Sequence, residues 1–311
     1  MDFLILLAGI AGLWLGTELT VGGALAIARR HHLSEFFVGL VILSIGSDLP
    51  ELAVALSAGI KGLTGHDASG VVVGTSIGSV VAQIGFVLGL AGLIHLLTLP
   101  RAFVLKHGTV LLGATILLFV VAFDGSVSRA EGLILVAVYV IYVVVLMNGE
   151  NVPDEEPGHL AGGDWKSWML LVSGLAIVSI SSEATVRSVV SIAYSFEISE
   201  ALISVLIIGL GTSLPELSIS ISAVLKKKTR MSVGNIVGSN VLDTLLPIGL
   251  AATISPVSFE KQLVHFDLPF IFVLTAVVLG FFYKRRGVTR PEAWIILGFY
   301  VVYVAIKLMQ F

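Results

Sequence analysis

Apolar runs of about twenty residues follow one another along the chain, separated by short polar breaks. They predict helical spans near 3–28, 34–60, 70–97, 103–123, 130–148, 167–195, 200–225, 231–254, 266–283 and 291–309. Each approaches the roughly 20 residues that a helix needs to cross a bilayer. The chain opens Met1-Asp2-Phe3 and enters the first run directly, without the basic segment of a cleaved signal, so that run reads as a span. Only 149–165 is a sizeable polar segment, with Glu150, Asp154, Glu155 and Glu156 beside two prolines and several glycines. It is too short to fold alone and reads as an acidic joint between a five-helix unit at 1–148 and another at 166–311. The expected fold is an all-α membrane protein with ten transmembrane helices.

The two units repeat. Gly46, Leu49, Pro50 and Glu51 fall on Gly211, Leu214, Pro215 and Glu216 at an offset of 165, which also aligns Ser34-Glu35 with Ser199-Glu200 and Glu18 with Glu183. Gly74, Gly78 and Ser79 fall on Gly234, Gly238 and Ser239 at an offset of 160. Farther on, Glu131, Tyr139 and Tyr142 align with Glu292, Tyr300 and Tyr303. An odd number of spans per unit turns the second unit upside down relative to the first. That is the inverted-repeat plan of secondary transporters, whose binding site lies near the midplane where the halves meet.

Within the apolar spans the polar positions are ordered. Ser44, Ser47, Asp48 and Glu51 stand at i, i+3, i+4 and i+7, one stripe of a helix, and Gly209, Thr212, Ser213 and Glu216 repeat it. Thr75, Ser79 and Gln83 form a second stripe, answered by Asn235, Ser239 and Asp243. Hydroxyls and amides alone would serve as interhelical hydrogen-bonding groups. A charge at mid-membrane costs about 2.5–3.5 kcal/mol on insertion scales, so Glu51 and Glu216 need a stronger reason. Pro50 and Pro215 precede them. Each lacks an N–H, which predicts a kink that frees the carbonyl of Gly46 or Gly211 beside the acid.

Composition narrows the chemistry. Of 311 residues 56% are apolar and 13% charged, and the mean hydropathy is +1.02, too little charge to cover a soluble surface. A net charge of -3 gives no footprint for nucleic acid, and nothing points to an obligate protein partner. Cysteine is absent, which removes thiolate metal sites and cysteine catalysis. Thirteen of the 18 Lys and Arg fall in loops after the first, third, fifth, seventh and ninth spans, among them Arg29, Arg30, Lys226, Lys227, Lys228 and Arg230. By the positive-inside rule those loops face the cytoplasm, which puts both termini outside a cell membrane. The seven histidines (His31, His32, His66, His95, His107, His159 and His265) fall in loops or at span ends and read as solvated. The stripes therefore hold oxygen only, the ligand set of hard cations. Four helices could supply the six to eight oxygens of a Ca2+ site, and Na+ could use the same atoms with fewer charges. Glu183 and Arg187 read as an i, i+4 pair; Glu18, without such a partner, reads either as lining a cation pathway or as a snorkelling or loop-contacting group.

The blocks GSDLPE (46–51) with GTSIGSVVAQIG (74–85), and GTSLPE (211–216) with GNIVGSNVLD (234–243), resemble the two alpha-repeats of the cation/calcium exchanger superfamily, closest to its prokaryotic sodium/calcium exchanger branch. The resemblance spans essentially the whole chain. It implies ten helices, outward termini and alternating access at a central cluster where Ca2+ and Na+ compete, with no cofactor and no enzymatic step. It also implies that Glu51 and Glu216 bind Ca2+ and share in Na+ sites. Ser47 and Thr212 would contribute backbone oxygens, with flanking ligands at Ser44, Ser79, Gly209, Ser213, Ser239 and Asp243. The first and sixth spans would be its sliding pair of long helices. Three positions depart from the family pattern: Asp48 where serine is common, Ser47 where threonine is common, and Gln83 where Asn or Asp usually faces the second repeat's acid. Asp48, Glu51, Glu216 and Asp243 thus make four acids. Around one Ca2+ they leave two uncompensated charges, so a proton on Asp48 or Asp243, or a further cation, is expected. An H+- or K+-coupled exchanger on this scaffold is the nearest rival. An intramembrane aspartyl protease using Asp48 and Asp243 lacks its GxGD signature, and a channel usually needs a symmetric ring about a pore.

Overall fold

The computed structural model describes residues 2–149, 164–195, 211–285 and 287–309. Outside them lie most of the acidic joint with Glu150, Asp154, Glu155, Glu156 and His159, the start of the seventh span with Ser199, Glu200 and Gly209, and Arg286. The helices are α1 Asp2–Arg30, α2 Glu35–Ser47, α3 Leu49–Leu63, α4 Ser69–Ile94, α5 Arg101–Val121, α6 Arg129–Gly149, α7 Asp164–Ser195, α8 Leu214–Leu225, α9 Thr229–Ile254, α10 Leu263–Lys284 and α11 Arg290–Met309. Among the described residues eight are long and apolar enough to cross a bilayer, and α2 with α3, bent by 46° at a break, make a candidate ninth. The seventh expected span is described only from Gly211 onward, where α8 is a shorter apolar helix. This is an integral membrane protein.

Two helices form the centre. In their most apolar stretches α9 is 78% and α4 72% buried, against 28% for α1 and α6, whose outer faces carry bare apolar side chains such as Trp14 and Ile141. Close approach of backbones sets the core. A Cβ at Gly238 of α9 would lie 2.1 Å from the Leu40 carbonyl of α2, so only glycine lets these helices touch where Ser44 begins. On the flank, α1 and α7 run antiparallel with Gly9 against Thr185, Gly16 against Val178 and Gly23 against Leu171. A stripe of small residues replaces the hydrophobic effect that cannot drive helix association in lipid.

Four two-residue strands close the connections: β1 Leu97–Thr98, β2 Ser126–Val127, β3 Val257–Ser258 and β4 Gly287–Val288. β1 pairs antiparallel with β4, Leu97 opposite Val288, and β2 with β3, Ser126 opposite Ser258. The helices after β2 and β4 begin alike. Glu131 accepts from the Ser128 N–H and hydroxyl, and Glu292 from those of Thr289. In both, the glutamate reaches back to the residue that starts the helix, as in a capping box.

Two expectations are corrected. Pro50 and Pro215 do not kink continuous helices. The chain leaves the helix at Asp48 (φ -87°, ψ 3°) and at Ser213 (φ -94°, ψ 9°), and each proline sits in the first turn of the next helix, where its missing N–H costs nothing. His107 is not solvated: it is 2% exposed, its Nδ1 lies 3.0 Å from the Tyr142 hydroxyl, and its ring meets Phe36 and Phe103. Of the two readings of Glu18, the loop contact is the one present: Lys226, just past the end of α8, reaches it at 2.8 Å. The Glu183–Arg187 pair is present at 2.5 Å.

Candidate functional site

The broken span places its polar stripe by two irregularities. A π turn at Val38–Leu43 rotates the helix just before Ser44, and the break at Asp48 starts α3 with Glu51 in its first turn. At the matched break Ser213 starts α8 with Glu216 in its first turn. Both glutamates therefore stand at a helix N-terminus, where the backbone dipole favours a carboxylate. A second π turn, Ala82–Val87, carries Gln83 on α4, and α9 carries Asn235, Ser239 and Asp243.

These faces converge. Asp48, Glu216, Ser239 and Asp243 are 0% exposed, Ser47, Ser79, Gln83 and Ser213 1%, and Glu51 8%. Asp48 interacts electrostatically with Asp243, Glu216 and Glu51, and Glu51 with Glu216 and Asp243. Hydrogen bonds cross between the halves. The Gln83 amide donates to Asp243 at 3.0 Å, and Ser79 meets Thr212 at 3.3 Å and Ser213 at 3.4 Å. The Ser47 hydroxyl lies 3.4 Å from Asp48. The Glu216 carboxylate faces Ser47 and Asp48 without a hydrogen bond of good geometry to either. The Ser44 hydroxyl donates to the Leu40 carbonyl at 2.5 Å. Gly209 lies outside the described residues.

The chemistry of the cluster is one-sided. Asp48 Oδ2, Glu51 Oε2, Gln83 Oε1 and Asp243 Oδ1 are buried without hydrogen-bond partners, and Ser239 Oγ joins them. Unpaired acceptors in a low dielectric call for positive charge. Among the described residues no three acidic or imidazole side chains converge closely enough to hold a metal by themselves. An ion here must complete its shell with hydroxyl, amide or main-chain oxygens, which Ser47, Ser79, Thr212, Ser213, Ser239 and Gln83 bring to the same place.

Access is unequal. A cleft of about 210 Å³ reaches Glu51, walled by Pro50, Val54, Thr75, Ser182, Glu183 and Thr212. Pro50 and Pro215 both line it, Pro50 exposed and Pro215 buried, and Glu216 is not among its walls. Sequence reasoning missed one buried ionic group at the periphery. Asp267, 0% exposed at the end of a π turn in α10, accepts from Tyr303 at 2.5 Å and from Lys307 at 2.7 Å. Its signal was an acid and a lysine inside two apolar runs forty residues apart, invisible as a pair until α10 and α11 are folded together.

The profile of a family described as sodium/calcium exchanger protein matches residues 1–148 and 166–309. The sodium/calcium exchanger MaX1 of Methanosarcina acetivorans is 27% identical, over 98% of this chain and 98% of its own. The inner membrane protein YrbG of Escherichia coli is 26% identical, over 97% of this chain and 95% of its own. Among solved structures, that of the sodium-calcium exchanger NCX_Mj soaked with zero Na+ and Ca2+ superposes with a TM-score of 0.84 at 26% identity, covering 98% of both chains.

Proposed function

The chain belongs to the sodium/calcium exchanger family, and from that premise we propose that it is a secondary-active antiporter moving Ca2+ across the cell membrane in exchange for Na+. The observation that carries this reading is the convergence of Asp48 at the α2–α3 break, Glu51 of α3, Glu216 of α8 and Asp243 of α9, two acids from each half, on one buried place with unpaired acceptor oxygens. Glu51 and Glu216 are the principal ligands. Asp48, Gln83, Asp243 and the oxygens of Ser44, Ser47, Ser79, Gly209, Thr212, Ser213 and Ser239 complete overlapping Ca2+ and Na+ sites.

The ten spans form two inverted five-helix repeats, 1–148 and 166–311, joined by 149–165. The family profile's two matched segments, 1–148 and 166–309, support this. So do the paired breaks at Asp48 and Ser213, the paired capping glutamates, and the strands. β1 and β3 stand 160 residues apart, β2 and β4 161, and each pairs with a strand of the other half. Occupancy of the cluster neutralises charge that the apolar interior would otherwise penalise, and only then do the halves switch access from one face to the other. Glu51 lines the cleft while Glu216 is 0% exposed, which supports one-sided access. With basic loops inside, the Glu51 cleft opens outward and both termini lie outside.

A second reading, coupling to H+ or K+, is favoured by Asp48 itself: four carboxylates around one Ca2+ leave two charges for other cations. Transport of ⁴⁵Ca into proteoliposomes under separately imposed Na+, K+ and H+ gradients tests the assignment. Uptake driven by outward Na+ supports it. Uptake that follows the proton or K+ gradient and ignores Na+ overturns the sodium coupling, and flux needing no counter-ion indicates a channel.

A further inference from the structure

A cavity of about 10 Å³, with Asp243 in its wall and no residue in common with the Glu51 cleft, lies between α4, α5, α9 and α10. Space of that size admits one water molecule, provided two to four polar groups receive it. Ser76 and Asp243 both line it, each fully buried, and each brings an oxygen with no hydrogen-bond partner, Ser76 Oγ and Asp243 Oδ1. Thr115 and Thr244 line it too.

The hydrogen-bond capacities of these four groups match a single water. A hydroxyl in a helix normally spends its proton on the carbonyl four residues back. Thr115 does so to Leu111 at 3.0 Å and Thr244 to Asn240 at 2.7 Å, which leaves their oxygens as acceptors only. Ser76 does not, although its neighbour Thr75 bonds to Val71 at 2.8 Å. Ser76 keeps a free proton. A water between them accepts from Ser76 and donates to Asp243 Oδ1 and to one threonine oxygen, which makes the usual three bonds.

We propose that Ser76 is a positioning residue that fastens Asp243 through one buried water, a proposal that rests on the reading of Asp243 as a member of the cation cluster. Gln83 holds Asp243 Oδ2 from within the cluster at 3.0 Å, and the water holds Oδ1 from the cavity. The carboxylate is thereby fixed at both oxygens, with one lone pair on each still directed elsewhere, so it meets an ion without first being ordered. Residue 236, the repeat counterpart of Ser76, is Ile236, so the repeat supplies no equivalent donor for Gln83.

Two measurements on the full chain test this. A high-resolution crystal structure should show density in the cavity with about three contacts near 2.8 Å, including Ser76 Oγ and Asp243 Oδ1. An empty cavity overturns the proposal, as does density ringed by six or more oxygens at 2.3–2.6 Å, which would be a metal ion. Equilibrium dialysis with ⁴⁵Ca should show Ser76→Ala weakening Ca2+ binding about three- to tenfold, the worth of one buried hydrogen bond, with no further loss when added to Asp243→Asn. The same loss in both backgrounds would mean that Ser76 acts through packing and not through Asp243. If the unaltered chain bound no Ca2+ at all, the exchanger reading would fail, while the density would still decide the water.

Discussion

Glu51 and Glu216 each occupy the first turn of a helix that starts inside the membrane, and each is buried among other acids. Glu51→Gln and Glu216→Gln keep the shape and remove the charge. Both are expected to reduce Ca2+ exchange in proteoliposomes to the level of empty vesicles, with the proteins still monodisperse. Asp48→Asn removes one of the four charges, so the number of positive charges exchanged per Ca2+, read from the reversal potential, should fall by about one. An unchanged ratio would remove Asp48 from the charge balance. At the periphery, Lys307→Met leaves Asp267 buried without its cation and should destabilise the protein by about 3–5 kcal/mol, measured by thermal unfolding in detergent. These residues differ in how openly the sequence displays them. Glu51 and Glu216 stand out because an acid in an apolar run has few cheap explanations. Asp267 and His107 were missed because each lies near a span end, where solvation is the ordinary outcome, and only the neighbouring helix buries it.

The apolar runs locate the helices among the described residues to within a few residues, since bilayer thickness leaves little choice of length. They do not locate the irregularities that aim the site. The π turns at 38–43 and 82–87 insert one residue per turn without any compositional mark. The prolines indicated a disturbance, but whether a helix bends or stops depends on Asp48 and Ser213 adopting non-helical backbone angles, which neighbouring helices decide. Packing of elements is testable through glycine. Gly238→Val places a side chain against the Leu40 carbonyl and should abolish a folded, monodisperse protein in size-exclusion chromatography. Gly280→Ala, where a Cβ meets nothing within 4 Å, should be silent.

Across the whole molecule the offset of 165 makes Val54 and Ile219 equivalent positions, yet Val54 is 39% exposed on the cleft and Ile219 is 0% exposed. Because the chain contains no cysteine, single substitutions report cleanly. Val54→Cys should react with a membrane-impermeant maleimide from the outer face alone, and Ile219→Cys should stay unlabelled in the same state. Equal labelling of both would contradict one-sided access. The inverted repeat was visible as matched motifs, whereas which half stands open is a property of conformation that no sequence comparison carries.

Equilibrium binding of ⁴⁵Ca to the purified chain, titrated with Na+, examines the four-acid cluster most directly. Saturable Ca2+ binding that Na+ displaces, and that is lost in Glu51→Gln and Glu216→Gln, is the expected result. Binding that survives both substitutions, or that Na+ leaves untouched, would place the cation elsewhere.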